Sequence, residues 1–88
     1  MNQSKLEIYV GILKTLAQIG PSRLTDIEYK VKVDAFTLKE ILEFLVGQNF
    51  VKRQMIKKQP IFAVTNRGMN VLKFFRVLVQ EISDVEEI

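Results

Sequence analysis

Lys52, Arg53, Lys57 and Lys58 place four cations within seven residues, interrupted by Gln54-Met55-Ile56 and followed by Gln59-Pro60. Ammonium and guanidinium groups at that spacing suit contact with phosphate oxygens, where each neutralised phosphate releases condensed counterions and binding weakens steeply with salt. Lysines on a strand edge also block pairing between molecules, and that plainer role stays open at this point. A second group follows Asp34: Ala35, Phe36, Thr37 and Lys39. Thr37 and Lys39 are the polar side chains suited to reach base edges or backbone, and Phe36 would meet a thymine methyl unless it belongs to the core. Arg23, Lys30 and Lys32 would grip the sugar-phosphate backbone on either side, although each alone is an ordinary solvated cation. Together these residues form the candidate DNA-binding set.

Other chemistries lack their residues. The chain has no cysteine and no histidine, which removes disulfides, thiolate metal sites and the usual acid/base catalyst. Glycines 11, 20, 47 and 68 are isolated, so no phosphate-cradling loop is present, and the scattered acids show no metal-ligand spacing. An enzymatic role, a metal, a cofactor and a small-molecule ligand are therefore not expected. No apolar run approaches the roughly 20 residues of a membrane span, and Met1-Asn2-Gln3-Ser4-Lys5 does not read as a signal peptide. The expected location is cytoplasmic, at the nucleoid.

The elements that must position these cations follow from spacing. Ser4-Lys5-Leu6-Glu7 fits a capping box opening a first helix. Leu6, Tyr9, Val10, Leu13, Leu16 and Ala17 recur at helical spacing, and Ile8, Ile12 and Ile19 add a second stripe, so burial on two sides is expected before Gly20-Pro21 stops the helix. Ser22 or a near neighbour caps a shorter second helix to about Val31, with Leu24, Ile27 and Val31 inward. Asp34 caps a third helix that buries Leu38, Ile41, Leu42 and Leu45, and Gly47 is the expected left-handed residue closing it. Phe50–Met55 and Ile61–Val64 favour extended structure around a polar turn, Lys57-Lys58-Gln59-Pro60, which predicts a β-hairpin. Thr65 caps a last helix whose apolar residues exceed one stripe. Within it, Val71, Phe75, Leu78, Ile82 and Val85 follow the seam spacing of helices packed lengthwise, which predicts a homodimer interface.

With 88 residues and 48% apolar content, a single domain over residues 1–88 is expected, with residues 83–88 as a frayed acidic tail. The formal charge of +3 understates the asymmetry: residues 1–80 hold thirteen Lys and Arg against six Asp and Glu, an excess of +7. A body of that charge attracts polyanions.

Helix, helix, helix, hairpin, helix is the order of an α+β winged helix-turn-helix: three helices, a two-stranded β-hairpin wing and a C-terminal dimerisation helix. Ile27-Glu28-Tyr29, Val33-Asp34, Leu38-Lys39-Glu40-Ile41-Leu42, Phe50-Val51 and Phe62-Ala63-Val64-Thr65-Asn66-Arg67-Gly68 resemble the small archaeal winged-helix family that includes the ten-kilodalton Sulfolobus "10a" chromatin proteins, over about Lys5 to Ile82. That resemblance implies a homodimer paired through its final helix and bound to double-stranded DNA, as a chromatin protein or a transcription regulator of the same broad class. The family commonly has Ser-Tyr and a polar or basic residue where this chain has Asp34, Ala35 and Phe36. Glu40 and Glu43 would also meet phosphate repulsion in a groove. The expectation is therefore that only the first turn of the third helix inserts and the wing supplies most of the affinity. The alternative is a winged-helix module for protein assembly without physiological DNA binding, its apolar helices serving as the interface.

Overall fold

The computed structural model describes residues 4–86, with side chains to residue 78. Six elements follow in order: α1 (Lys5–Ile19), α2 (Leu24–Val31), α3 (Ala35–Gly47), β1 (Val51–Ile56), β2 (Gln59–Val64) and α4 (Asn66–Glu86). This is the winged-helix order read from the sequence.

Local chemistry explains the boundaries. Ser4 and Glu7 form the expected capping box, with the Glu7 amide donating to Ser4 Oγ at 3.1 Å. Gly20 closes α1 at φ +83°, its amide donating to the Leu16 carbonyl at 2.9 Å. Of the candidates at the second helix, Ser22 or a near neighbour, the neighbour Arg23 is the N-cap, and the Asp26 carboxylate reaches back to accept from the Arg23 amide at 3.2 Å. Ser22 is instead buried and pairs as an isolated β-bridge with Phe62, through amide-to-carbonyl bonds of 2.9 and 2.8 Å. This bridge fastens the α1–α2 connection to the free edge of β2.

Two further boundaries correct the sequence reading. Gly47 remains helical, Gln48 caps α3, and the left-handed residue is Asn49 at φ +64°, an amide side chain that tolerates this region better than most. The hairpin is also tighter than expected. Gln59 and Pro60 belong to β2, paired with Ile56 and Met55, so only Lys57 and Lys58 form the turn. Both have positive φ, +51° and +65°, the signature of a two-residue type I′ turn whose twist matches that of the strands.

The core is one cluster: Ile12, Leu13 and Leu16 of α1, Ile27 of α2, Leu38, Ile41, Leu42 and Leu45 of α3, Val51 and Phe62 of the hairpin, and Leu72 of α4. Each such aliphatic side chain contributes roughly 1.5–3 kcal/mol relative to exposure. The α1 stripes are buried in the middle only, since Leu6, Ala17 and Ile19 are exposed. Thr65 plays its expected capping part at α4: its hydroxyl accepts from the Gly68 amide at 3.1 Å and donates to the Asn49 carbonyl at 2.6 Å. Gly68 is required here because a Cβ would collide with the Phe50 carbonyl oxygen and approach Val64 Cγ2 to 2.7 Å. The start of α4 thus lies directly on the backbone at the base of the wing.

Candidate nucleic-acid interface

Side chains alternate along a strand, so register decides which wing residues share a face. Val51, Arg53 and Met55, with cross-strand partners Val64, Phe62 and Pro60, lie on the face that carries the core contacts. Lys52, Gln54 and Ile56 lie on the other with Ala63, Ile61 and Gln59. The four wing cations are therefore not one patch. Lys52 and Arg53 sit near the base on opposite faces, and Lys57 and Lys58 stand together at the tip, about 13 Å or more from Lys52 at 3.3 Å per residue.

Arg53 is engaged. Its Nη1 donates to Glu43 Oε1 of α3, an exposed ion pair that ties the base of the wing to the third helix. Among the described residues, Lys52, Lys57 and Lys58 are in no salt bridge. Glu43 was expected to repel phosphate, and Arg53 offsets that charge; the partner lies ten residues away in sequence, so no local spacing signalled it.

The start of α3 is organised around Asp34. The Thr37 amide donates to its carboxylate at 3.0 Å and the Thr37 hydroxyl at 2.7 Å, and these two bonds, the amide's first, hold the Asp34 carboxyl below the usual range. Two consequences follow. The free amides at this helix end already face a carboxylate, which opposes a second anion there. The Thr37 hydroxyl donates to Asp34, and Thr37 itself is half-buried, so it is poorly placed to donate to a base. Ala35 is half-buried and Lys39 exposed. Phe36, which the sequence left open as a core residue, is 74% exposed. Phe36, Glu40, Glu43 and Gly47 occupy the helix side opposite the buried Leu38, Ile41, Leu42 and Leu45, so the outward centre of α3 is aromatic and acidic. On its flank Phe44 stacks with Tyr9 of α1 at 5.2 Å between centroids.

The α2 cations are dispersed. Arg23 is paired with Asp26 at 3.5 Å, Lys30 borders a shallow cleft against α1 with Glu7 and Lys14, and Lys32 caps α2 in the left-handed region at φ +55°. Arg67 is structural: its Nε donates to the Gln48 carbonyl at 3.0 Å and its guanidinium lies 4.8 Å from the Phe50 ring centroid.

Three surface features escaped the sequence reading. Met55 and Ile56 are 65% and 50% exposed beside the wing tip, a fact that depends on register and turn length. Tyr29 of α2 is exposed. On α4, Phe74 is 71% exposed and Val77 and Leu78 are exposed too, whereas Val71 and Phe75 of the proposed seam are half-buried. Phe74 borders a surface cleft with Arg67, Asn70 and Val71. The side chains of Ile82 and Val85 lie outside the described residues.

A family model described as winged helix-turn-helix matches residues 2–83. Comparison with curated proteins gives no match. Among solved structures, a mutant MarR from E. coli is similar at 18% identity and a TM-score of 0.81, over 89% of this chain and 60% of that one. Bordetella bronchiseptica BpsR, whose DNA binding is regulated by 6-hydroxynicotinic acid, is similar at 15% identity and a TM-score of 0.79, over 89% and 58%. Sso10a-2, a DNA-binding protein from Sulfolobus solfataricus, is similar at 15% identity and a TM-score of 0.78, over 97% and 87%. The chain thus spans 58% of BpsR and 60% of the MarR chain, and nearly all of Sso10a-2. No helix among the described residues is long and apolar enough to cross a membrane.

Proposed function

The chain belongs to the winged helix-turn-helix family, and on that premise we propose that it is a DNA-binding protein that clasps the double-stranded helix chiefly with its wing. The observation that carries this reading is the hairpin itself: Lys57 and Lys58 stand exposed at its tip, Lys52 at its base, and no acid occurs from Gln48 to Thr65. Arg53, Lys39, Lys30, Lys32 and Arg23 support it as peripheral backbone contacts, while Ala35, Phe36 and Thr37 make a minor contribution beside the Asp34 carboxylate. The acting species is a homodimer joined through α4, with Phe74 and Val77 added to the seam of Val71, Phe75, Leu78, Ile82 and Val85. A chromatin or regulatory role at the nucleoid, of archaeal "10a" type, is supported by the near-complete overlap with Sso10a-2.

A salt titration of duplex binding tests the proposal. Charge reversal at Lys57 and Lys58 should weaken binding uniformly across sequences and flatten the dependence of log K on log salt. Unaltered affinity would remove the wing from the site. A second reading, a protein-assembly module, is favoured by the aromatic and acidic outward side of α3. Duplex binding no tighter than that of a generic basic protein of equal charge would select it.

A further inference from the structure

We propose that the wing tip is an apolar wedge as well as a cationic clamp, inserting Met55 and Ile56 into the minor groove and unstacking a base step. The proposal rests on the DNA-binding reading above and specifies what the tip does once there.

Met55 and Ile56 are the last two residues of β1, 65% and 50% exposed, with Pro60 exposed across from Met55. Alternation puts Met55 with Pro60 on one face of the ribbon and Ile56 on the other. Lys57 and Lys58 follow at once in a turn with no additional residue, so the tip is as narrow as a hairpin permits. Exposed apolar residues at a hairpin end are ordinarily an association liability. Here the adjoining cations and the absence of acids from Gln48 to Thr65 select a polyanion as the occupant of the surface. A two-stranded ribbon about 4.8 Å between strands meets a minor groove about 6 Å wide, which it can enter only at its tip or by widening the groove. Apolar side chains such as Met, Ile and Pro carried in by flanking cations are what partly unstacks a step and kinks the duplex toward the major groove. Pyrimidine–purine steps yield most easily, so a TpA step is the preferred seat.

The test uses the full chain and a short duplex carrying 2-aminopurine beside a central TpA step, with donor and acceptor dyes on its ends. The wild type should raise 2-aminopurine fluorescence and shorten the end-to-end distance. The Met55→Gln/Ile56→Gln variant, altered only at exposed positions, should keep its circular dichroism melt and its salt slope, lose both optical signals, and bind the TpA duplex about tenfold more weakly. Lys57→Glu/Lys58→Glu should instead flatten the salt slope. Wild-type binding with unchanged fluorescence and end-to-end distance would overturn the wedge while leaving the clasp intact, and absence of duplex binding would remove both. Vesicles of phosphatidylglycerol and phosphatidylcholine are the third arm: loss of vesicle binding in the Gln variant with unaltered duplex signals would reassign the tip to a membrane surface and overturn the proposal.

Discussion

Replacing Lys57-Lys58 by Asn-Gly should stabilise the protein and weaken its hold on DNA, two opposite effects from one turn. Both lysines lie in the left-handed region, at φ +51° and +65°. That conformation costs an ordinary side chain about 1–2 kcal/mol per residue. Asn-Gly is the preferred pair for this turn. Glycine at position 58 removes the steric cost there but adds conformational freedom to the unfolded chain, about 0.5–1 kcal/mol in the other direction. Asparagine at position 57 recovers part of the remainder, leaving a net gain of about 1 kcal/mol, or a Tm rise of about 4–8 °C for a domain of this size. On the binding side, loss of two phosphate contacts should reduce the salt slope by about 1.8 per wing, which amounts to roughly 60-fold in affinity at 0.1 M salt if those contacts contribute nothing at 1 M. Calorimetry and fluorescence anisotropy on Lys57→Asn/Lys58→Gly check the two halves. A variant that melts higher but binds duplex with the original salt slope would refute the reasoning, because the lysines would then be strained for no electrostatic return.

Four other outcomes are expected. Glu43→Gln should free Arg53 for phosphate, raising duplex affinity several-fold and steepening the salt slope by up to about 0.9; an unchanged slope would place Arg53 outside the interface. Gly68→Ala forces a Cβ against the Phe50 carbonyl and Val64, a rigid backbone and a packed methyl, and should destabilise by about 1–3 kcal/mol in a denaturant melt. The Asp34 carboxyl is held below its ordinary value of 3.8, so its contribution to stability is complete above that value and is lost as the pH falls through the lower folded value; protection of the Thr37 amide from hydrogen exchange, followed through that window, should fall, and Asp34→Asn should flatten the dependence. Phe74→Glu should convert the proposed dimer to monomer in sedimentation at high micromolar concentration, since burying that ring contributes about 2 kcal/mol per protomer; a wild type that is already monomeric there would defeat the α4 interface.

Features set by neighbours in sequence were legible. The Ser4–Glu7 box, the Asp34 cap and the Thr65 cap each join residues three apart, and the inward set of α3 was read residue for residue from helical spacing. What escaped depends on register or on partners distant in sequence. The Lys57-Lys58 turn was drawn four residues long because Gln59-Pro60 resembles turn chemistry, whereas the opposed positions Met55 and Pro60 fix β2 two residues earlier. Gly47 was assigned the left-handed position that Asn49 holds, since glycine is the commoner choice and only the chain's route into β1 selects asparagine. The sequence leaves the α2 cap open between Ser22 and a near neighbour, and what takes Ser22 out of that place, its pairing with Phe62, spans forty positions that no local pattern encodes. Of the eleven candidate DNA residues, the structure groups Lys57 with Lys58, separates Lys52 from Arg53, and engages Arg53, Arg23 and Thr37 with acids.

These engagements change where affinity has to come from. A third helix that reads bases presents neutral or basic side chains outward, but the outward centre of α3 holds Phe36, Glu40 and Glu43, with the Asp34 carboxylate at its start. Like charges approaching phosphates at about 4 Å cost near 1 kcal/mol each even in bulk water and more as water is excluded. With Glu43 offset by Arg53, deep insertion of α3 would still set Glu40 and the Asp34 carboxylate against one free cation on that helix, Lys39. The wing faces the reverse situation: three lysines outside any described salt bridge and no carboxylate between Gln48 and Thr65. On the proposed reading, a molecule so charged would be driven onto duplex by counterion release, a term blind to sequence. If the tip enters as proposed, any preference would come from deformability at that step, which ranks TpA-containing duplexes above A-tracts of equal length and salt.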